Sequence, residues 1–307
     1  MKKSLIALAV LAASGAALAQ SSVTVYGIAD VVIHKDKNAS TTLTSGGVSA
    51  SRIGFKGTED LGGGLKAHFV LEQGFDLVTG DQSIPNKMFG REASVGLSGA
   101  FGAVKIGRMA TAYDDFQGAT NAAFDSVLTP SIVWNNGYTD RSDQALYYST
   151  PSFGGFSAAM SYNLEQLPGS QNVMSVSAGY DAGPLSLGVA YQDRGDTANE
   201  KYTRLNASYD FGSFKLLAGY GMVNAAVVDT KQYTIGADIP VASNMVVSVG
   251  YASRKDDGDV RANAYSIAAA YLLSKRTTVY GGYYNDNAKG SPDVLDSRFG
   301  VGIKHTF

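Results

Sequence analysis

The chain has 307 residues, of which 45% are hydrophobic and 17% charged, with a formal net charge of −2 and no cysteine. The missing cysteine excludes a disulfide framework and thiol catalysis, and the near-neutral charge argues against a nucleic-acid partner.

At the start, Lys2 and Lys3 precede the apolar run 5–13 and the small-residue site Ala17-Leu18-Ala19. This is the pattern of a secretory signal, expected over 1–19 with cleavage before Gln20. Ser14-Gly15 interrupts the run well short of the ~20 apolar residues that a spanning helix needs. No later apolar stretch is long enough for a membrane helix. A membrane location for 20–307 therefore rests on strands, which need only ~9–11 residues each.

Such strands recur along the chain. They are predicted at 23–33, 49–59, 65–75, 89–98, 103–109, 144–150, 156–163, 173–181, 185–193, 201–210, 213–221, 231–239, 244–253, 262–272, 276–285 and 296–307. Alternation sets their faces: Leu65, Ala67, Phe69 and Leu71 oppose Lys66, His68, Val70 and Glu72, and Ile53 and Phe55 oppose Arg52 and Lys56. Sixteen strands, an even number, suit a closed antiparallel barrel, which leaves no unpaired edge for lipid to face. Short turns such as 62–64, 99–102, 182–184 and 240–243 alternate with longer polar loops such as 34–48, 76–88 and 286–295. Barrels of this kind place the short turns in the periplasm and the long loops outside.

One connection breaks that pattern. Residues 110–143 form a loop too long for a plain link, carrying Tyr113, Asp114, Asp115, Phe116, Phe124, Asp125 and the single Trp134. A sixteen-stranded barrel is too wide for its own side chains to fill, and a loop here can fold inward and narrow it. The final strand alternates Phe299, Val301, Ile303, His305 and Phe307 with Arg298, Gly300, Gly302, Lys304 and Thr306. It ends on an aromatic residue, Phe307, of the kind outer-membrane barrels present to their assembly machinery.

Several motifs carry a resemblance. They are Ser22-Val23-Thr24-Val25-Tyr26-Gly27, Ser51-Arg52-Ile53-Gly54-Phe55-Lys56-Gly57, Gly90-Arg91-Glu92-Ala93-Ser94-Val95-Gly96-Leu97, Lys105-Ile106-Gly107-Arg108, Tyr147-Tyr148-Ser149-Thr150-Pro151 and the closing Gly300–Phe307 segment. In this order and spacing the chain resembles the trimeric general porins of Gram-negative outer membranes, over its whole mature length. The resemblance implies an all-β, 16-stranded transmembrane barrel whose third external loop, 110–143, folds into the lumen. It also implies a homotrimer that passes ions and small hydrophilic solutes, with lipopolysaccharide as a neighbour at the rim. Carried over by motif, a constriction would set Arg52, Arg91, Arg108 and Arg141 against Asp114, Asp115 and Asp125. Lys56, Lys66, Glu72 and Lys105 would line the pore nearby. Strict alternation points Arg91 and Arg108 toward lipid; a bulge, or a place just beyond the regular strand, would re-aim them. The expected selectivity is a weak anion preference, since basic residues of the wall meet several acids of the loop.

An enzyme is the rival class. The histidines are His34, His68 and His305, with no matching nucleophile motif and no metal-ligand spacing; His68 is the one catalytic candidate, and no cofactor is expected. A substrate-specific channel for sugars or dicarboxylates is a nearer alternative, with Tyr113, Phe116, Trp134 and Tyr138 as its aromatic path.

Overall fold

The computed structural model describes residues 22–116, 120–130, 137–164, 172–195, 200–226, 228–257, 261–287 and 297–307. The expected signal 1–19 and Trp134 lie outside them. The strands are β1 (Ser22–Asp36), β2 (Thr41–Ser45), β3 (Arg52–Gly62), β4 (Leu65–Gly74), β5 (Glu92–Gly99), β6 (Gly102–Ala110), β7 (Arg141–Ser149), β8 (Phe156–Asn163) and β9 (Met174–Ala182). They continue as β10 (Leu185–Asp193), β11 (Lys201–Asp210), β12 (Lys215–Asn224), β13 (Thr230–Ala242), β14 (Met245–Asp256), β15 (Arg261–Leu272), β16 (Thr277–Asp286) and β17 (Ser297–Thr306). Each strand from β3 onward pairs antiparallel with the next, and β17 returns to β1. With β2 set aside, sixteen of the seventeen strands close a ring.

β1 is the seam. One edge pairs with β17 over Ile28 to Asp36. The other is divided, with Ser22 to Ile28 facing β3 and Val31 to Lys35 facing β2. At the closure Gly27 N donates to Phe307 O at 3.0 Å and Phe307 N donates to Gly27 O at 3.1 Å. A Cβ on residue 27 would lie 2.2 Å from the Phe307 ring, so glycine makes room for the terminal aromatic side chain.

The barrel is inside-out relative to a water-soluble protein. On β11, Leu205 is 46% exposed while its neighbours Arg204 and Asn206 are 1% and 6% exposed. The same alternation sets outward Tyr265 and Ile267 against inward Ala264, Ser266 and Ala268 on β15. An apolar outer band and polar interior positions are what a lipid-facing wall requires. Ile267→Arg, in the middle of that band, is accordingly expected to cost ~2–4 kcal/mol. Reversible unfolding of the protein in lipid vesicles checks this; an unchanged midpoint would place Ile267 away from lipid.

The connection between β6 and β7 runs against the inward face. A short helix, α1 (Ala112–Phe116), starts where Ala112 N donates to Ser161 Oγ on β8 at 2.9 Å. Further on, Thr120 Oγ1 donates to Asn206 Oδ1 at 2.9 Å and Arg204 Nη2 to Asn121 Oδ1 at 2.8 Å. Ala123 N donates to Ser248 Oγ on β14 at 2.8 Å, and Val127 N to Gly47 O at 2.8 Å. Ala123 and Leu128 pack with Ala264, Ala268 and Tyr284 of β15 and β16. Three successive residues, Ala123, Phe124 and Asp125, have left-handed φ of 54°, 63° and 52°, a conformation that costs non-glycine residues free energy and persists only where the surroundings hold it.

Candidate functional site

Where the inserted segment leaves and rejoins the wall, three guanidiniums gather. Arg52 opens β3, Arg91 stands directly ahead of β5, and Arg141 opens β7. Glu72 of β4 ties the first two together: Arg91 Nε donates to its Oε1 at 2.7 Å, and Arg52 Nη1 lies 3.8 Å from the same oxygen. The Tyr26 hydroxyl donates to Glu72 Oε2 at 2.9 Å. Arg141 Nε donates to the Arg91 carbonyl at 3.1 Å, which sets the third arginine beside the second. Arg141 also reaches Asp140 at 2.7 Å and Asp114, on α1, at 3.8 Å.

Local geometry explains this convergence. Glu72 and Glu92 face each other in the β4–β5 ladder, an unfavourable like-charge pair unless each finds a cation. Glu72 takes the arginines; Glu92 accepts from Ser94 Oγ at 2.6 Å and lies 3.5 Å from Lys105 Nζ. Arg91 is free of strict alternation because it precedes the regular strand. Guanidinium suits such a cluster, since it stays charged next to its own kind and shares planar donors with carboxylates and carbonyls.

Arg108 is not brought into this group. It sits across from Ala93, on the parity of the exposed Val104 and Ile106. Its Nε donates to Gly90 O at 2.6 Å and its Nη1 to Asp143 Oδ1 at 2.7 Å, and Lys87 pairs with the same aspartate. A bulge is present here, with Gly107 at φ +134° and the register slipping between Gly107 and Met109. The slip brackets Arg108, which has no partner on β7, and its side chain folds onto Gly90 O and Asp143, 16% exposed against 40% and 48% for Val104 and Ile106.

The expected acids also divide. Asp114 meets Arg141 and accepts from the Tyr138 hydroxyl at 2.9 Å. Asp115 accepts from the Tyr147 hydroxyl at 2.9 Å, and Asp125 accepts from Asn121 Nδ2 at 2.6 Å. Lys56 lies over the Tyr26 ring at 5.0 Å and Lys105 over the Tyr147 ring at 4.8 Å; Lys66 is exposed near the short turn after β3. Tyr113, Phe116 and Tyr138 pack with Ala190, Tyr202 and Val223, so these rings are spent on anchoring the segment. Two residues absent from the sequence-based site carry much of that anchoring. They are Arg204, buried mid-strand against Asn121, and Asp30, buried on β1 against the turn that begins at Gly47.

Burial raises the Asp114 carboxyl to about 6, with Arg141 and the Tyr138 hydroxyl pulling it down and Asp140 and Asp115 pushing it up. Below that pH the protonated carboxyl no longer offsets Arg141. Anion preference is therefore expected to rise as pH falls from about 7 to about 5. Asp114→Asn should show the acid-form preference throughout. Reversal potentials across that pH range check both; an equal step in the variant would assign it to another group.

The family model described as Gram-negative porin matches residues 5–291. The chain belongs to this family. The porin is 38% identical to outer membrane porin protein 32 of Delftia acidovorans over 315 residues, covering 92% of this chain and 88% of that protein. It is 29% identical to an outer membrane porin protein of Bordetella pertussis over the full length of both. Among solved structures, the anion-selective porin from Comamonas acidovorans aligns with a TM-score of 0.78 at 30% identity, covering 94% of this chain and all of the other. The protein is thus an outer-membrane porin, and the passage it offers is passive.

Proposed function

We propose that segment 110–143 narrows the channel and that Arg52, Arg91 and Arg141, on the wall beside it, give a weak anion preference. The observation that carries this reading is the row of three guanidiniums beside Asp114 at the foot of the segment. Across a wet gap, opposed charges make a transverse field that orients dipolar solutes, and flux needs easy exit as well as entry. The anion selectivity named for the Comamonas acidovorans structure supports the sign. Lys56, Lys66, Glu72 and Lys105 line the path on either side, while Asp115 and Asp125 hold the segment and Arg108 lies outside the narrowing. The functional unit is a homotrimer, set among outer-membrane lipid and lipopolysaccharide, with Phe307 as its assembly signal.

Single-channel conductance of the mature protein in a planar bilayer tests this. Triplet steps, ohmic current and a reversal potential of anionic sign in a potassium chloride gradient are expected. Small, saturable, solute-blocked currents would instead make it a substrate-specific channel, and a cationic sign would overturn the selectivity.

A further inference from the structure

One register row crosses the wall beside the arginines on four strands. Tyr26 of β1 stands across from Gly54 of β3, Gly54 across from Glu72 of β4, and Glu72 across from Glu92 of β5. Tyr26 and Glu72 are two strands apart, about 10 Å from backbone to backbone. Yet the Tyr26 hydroxyl donates to Glu72 Oε2 at 2.9 Å. The glycine between them makes that reach possible. A Cβ on residue 54 would lie 2.4 Å from Cζ of the ring and 2.6 Å from its hydroxyl oxygen, so the ring fills the space where a side chain would stand. Lys56 borders the same ring, with Nζ 5.0 Å from its centroid.

The two oxygens of Glu72 have separate tasks. Oε1 serves the arginines, with Arg91 Nε at 2.7 Å and Arg52 Nη1 at 3.8 Å. The longer contact is beyond hydrogen-bond length, so Arg52 is only loosely paired, and its Nε donates to Ala50 O at 2.9 Å. Oε2 is taken by the neutral phenol. A carboxylate can otherwise accept from a guanidinium on both oxygens at once, which is the stronger, bidentate arrangement. The bond to Tyr26 blocks that arrangement and brings no charge of its own to the path.

We propose that Tyr26 is a positioning residue for selectivity: by holding Glu72 Oε2 it keeps the carboxylate from closing fully on the arginines and leaves guanidinium charge for passing anions. Without the hydroxyl, Oε2 turns to a neighbouring guanidinium, and the negative charge of Glu72 cancels more of the field that an anion meets. A neutral donor suits this task because it fixes a carboxylate without neutralising it. Gly54 belongs to the same device, since it gives the ring its path across β3. The inference rests on the anion-preference reading given above and adds to it a residue that bears no charge.

Tyr26→Phe keeps the ring and every formal charge, so a change in permeability ratio reports where Glu72 lies. Reversal potentials of the mature protein in a potassium chloride gradient should show the chloride-over-potassium ratio falling about twofold, short of the about threefold that a whole arginine charge supplies. In an E72Q background, Y26F should change nothing further, because the amide carries no charge to redirect. Gly54→Ala reaches the same hydroxyl from the neighbouring strand and should lower the ratio in the same sense; it serves as the second test if E72Q does not fold. A merely structural tyrosine would shift the unfolding midpoint in vesicles and leave the reversal potential at the parent value, and that result overturns the proposal. An equal fall in the parent and E72Q backgrounds also overturns it, by placing the effect elsewhere than Glu72. The sign in the parent channel separates the two levels: a cationic sign removes the selectivity reading itself, whereas an anionic parent whose ratio Y26F leaves unchanged costs only the tyrosine.

Discussion

Replacing Arg52, Arg91 and Arg141 together by glutamine is expected to lower the chloride-over-potassium permeability ratio by about thirtyfold and to reverse the selectivity. A unit charge about 6 Å from a passing ion in water contributes about 0.7 kcal/mol, and physiological salt halves it. The same charge favours one ion and opposes the other, so each arginine changes the ratio about threefold, and three multiply to about thirty. Single replacements should not be equal. Arg91 is held at 2.7 Å by Glu72, and its removal frees that carboxylate, so R91Q should shift selectivity more than R52Q, whose contact with Glu72 is 3.8 Å. Reversal potentials in a potassium chloride gradient measure parent and variants alike. A triple variant within twofold of the parent would place the selecting charges elsewhere along the path.

Asp30→Ala should be the most destabilising single change within the described wall, at about 3–5 kcal/mol. Asp30 is fully buried on β1 and accepts from Gly47 N at 3.2 Å, Val48 N at 2.9 Å, Ser49 N at 2.7 Å and the Tyr280 hydroxyl at 2.5 Å. Its backbone is tied to the same turn, with Ser51 Oγ donating to Asp30 O at 3.0 Å. Alanine would leave three amides and a phenol without their acceptor in a region with little water. Tyr280→Phe removes a single donor and should cost about 1 kcal/mol. The turn has a second duty, because Gly47 O accepts from Val127 N of the inserted segment. Asp30→Ala should therefore also raise open-channel current noise, which Tyr280→Phe should barely alter. Denaturant unfolding in vesicles and single-channel records test the pair; a midpoint shift below about 1 kcal/mol would show the turn to be held by other contacts.

The barrel is legible in the sequence because lipid enforces a strict period. Strands 156–163, 185–193 and 201–210 have the bounds that alternation predicts. The period fails where the chain departs from it. β7 begins at Arg141, three residues before its predicted start, because Gln144 at φ 48° interrupts the alternation without ending the strand. β2, Thr41-Thr42-Leu43-Thr44-Ser45, reads as loop in the sequence: it is short and carries no two-sided pattern. At the site, the direction of Arg52 follows from parity with Ile53. Arg91 can be placed only by knowing where β5 starts, and Arg108 only by knowing which way the bulge turns. Arg204 and Asp30 escape sequence reasoning for one shared reason. Each is a charge inside a predicted strand, and alternation says that it points inward without saying what it meets there.

The divided edge of β1 bears on the order of assembly. Neighbouring hairpins such as β9–β10 and β11–β12 close over a handful of residues, whereas the β1–β17 ladder joins segments some 270 positions apart in sequence. Loop-closure entropy grows as the logarithm of length, so that last ladder costs about 3 kcal/mol more to form than a ten-residue hairpin. It has no adjacent turn to guide its register. High contact order thus concentrates at one line along the wall, so the β1–β17 ladder is expected to be the last to form as the ring closes.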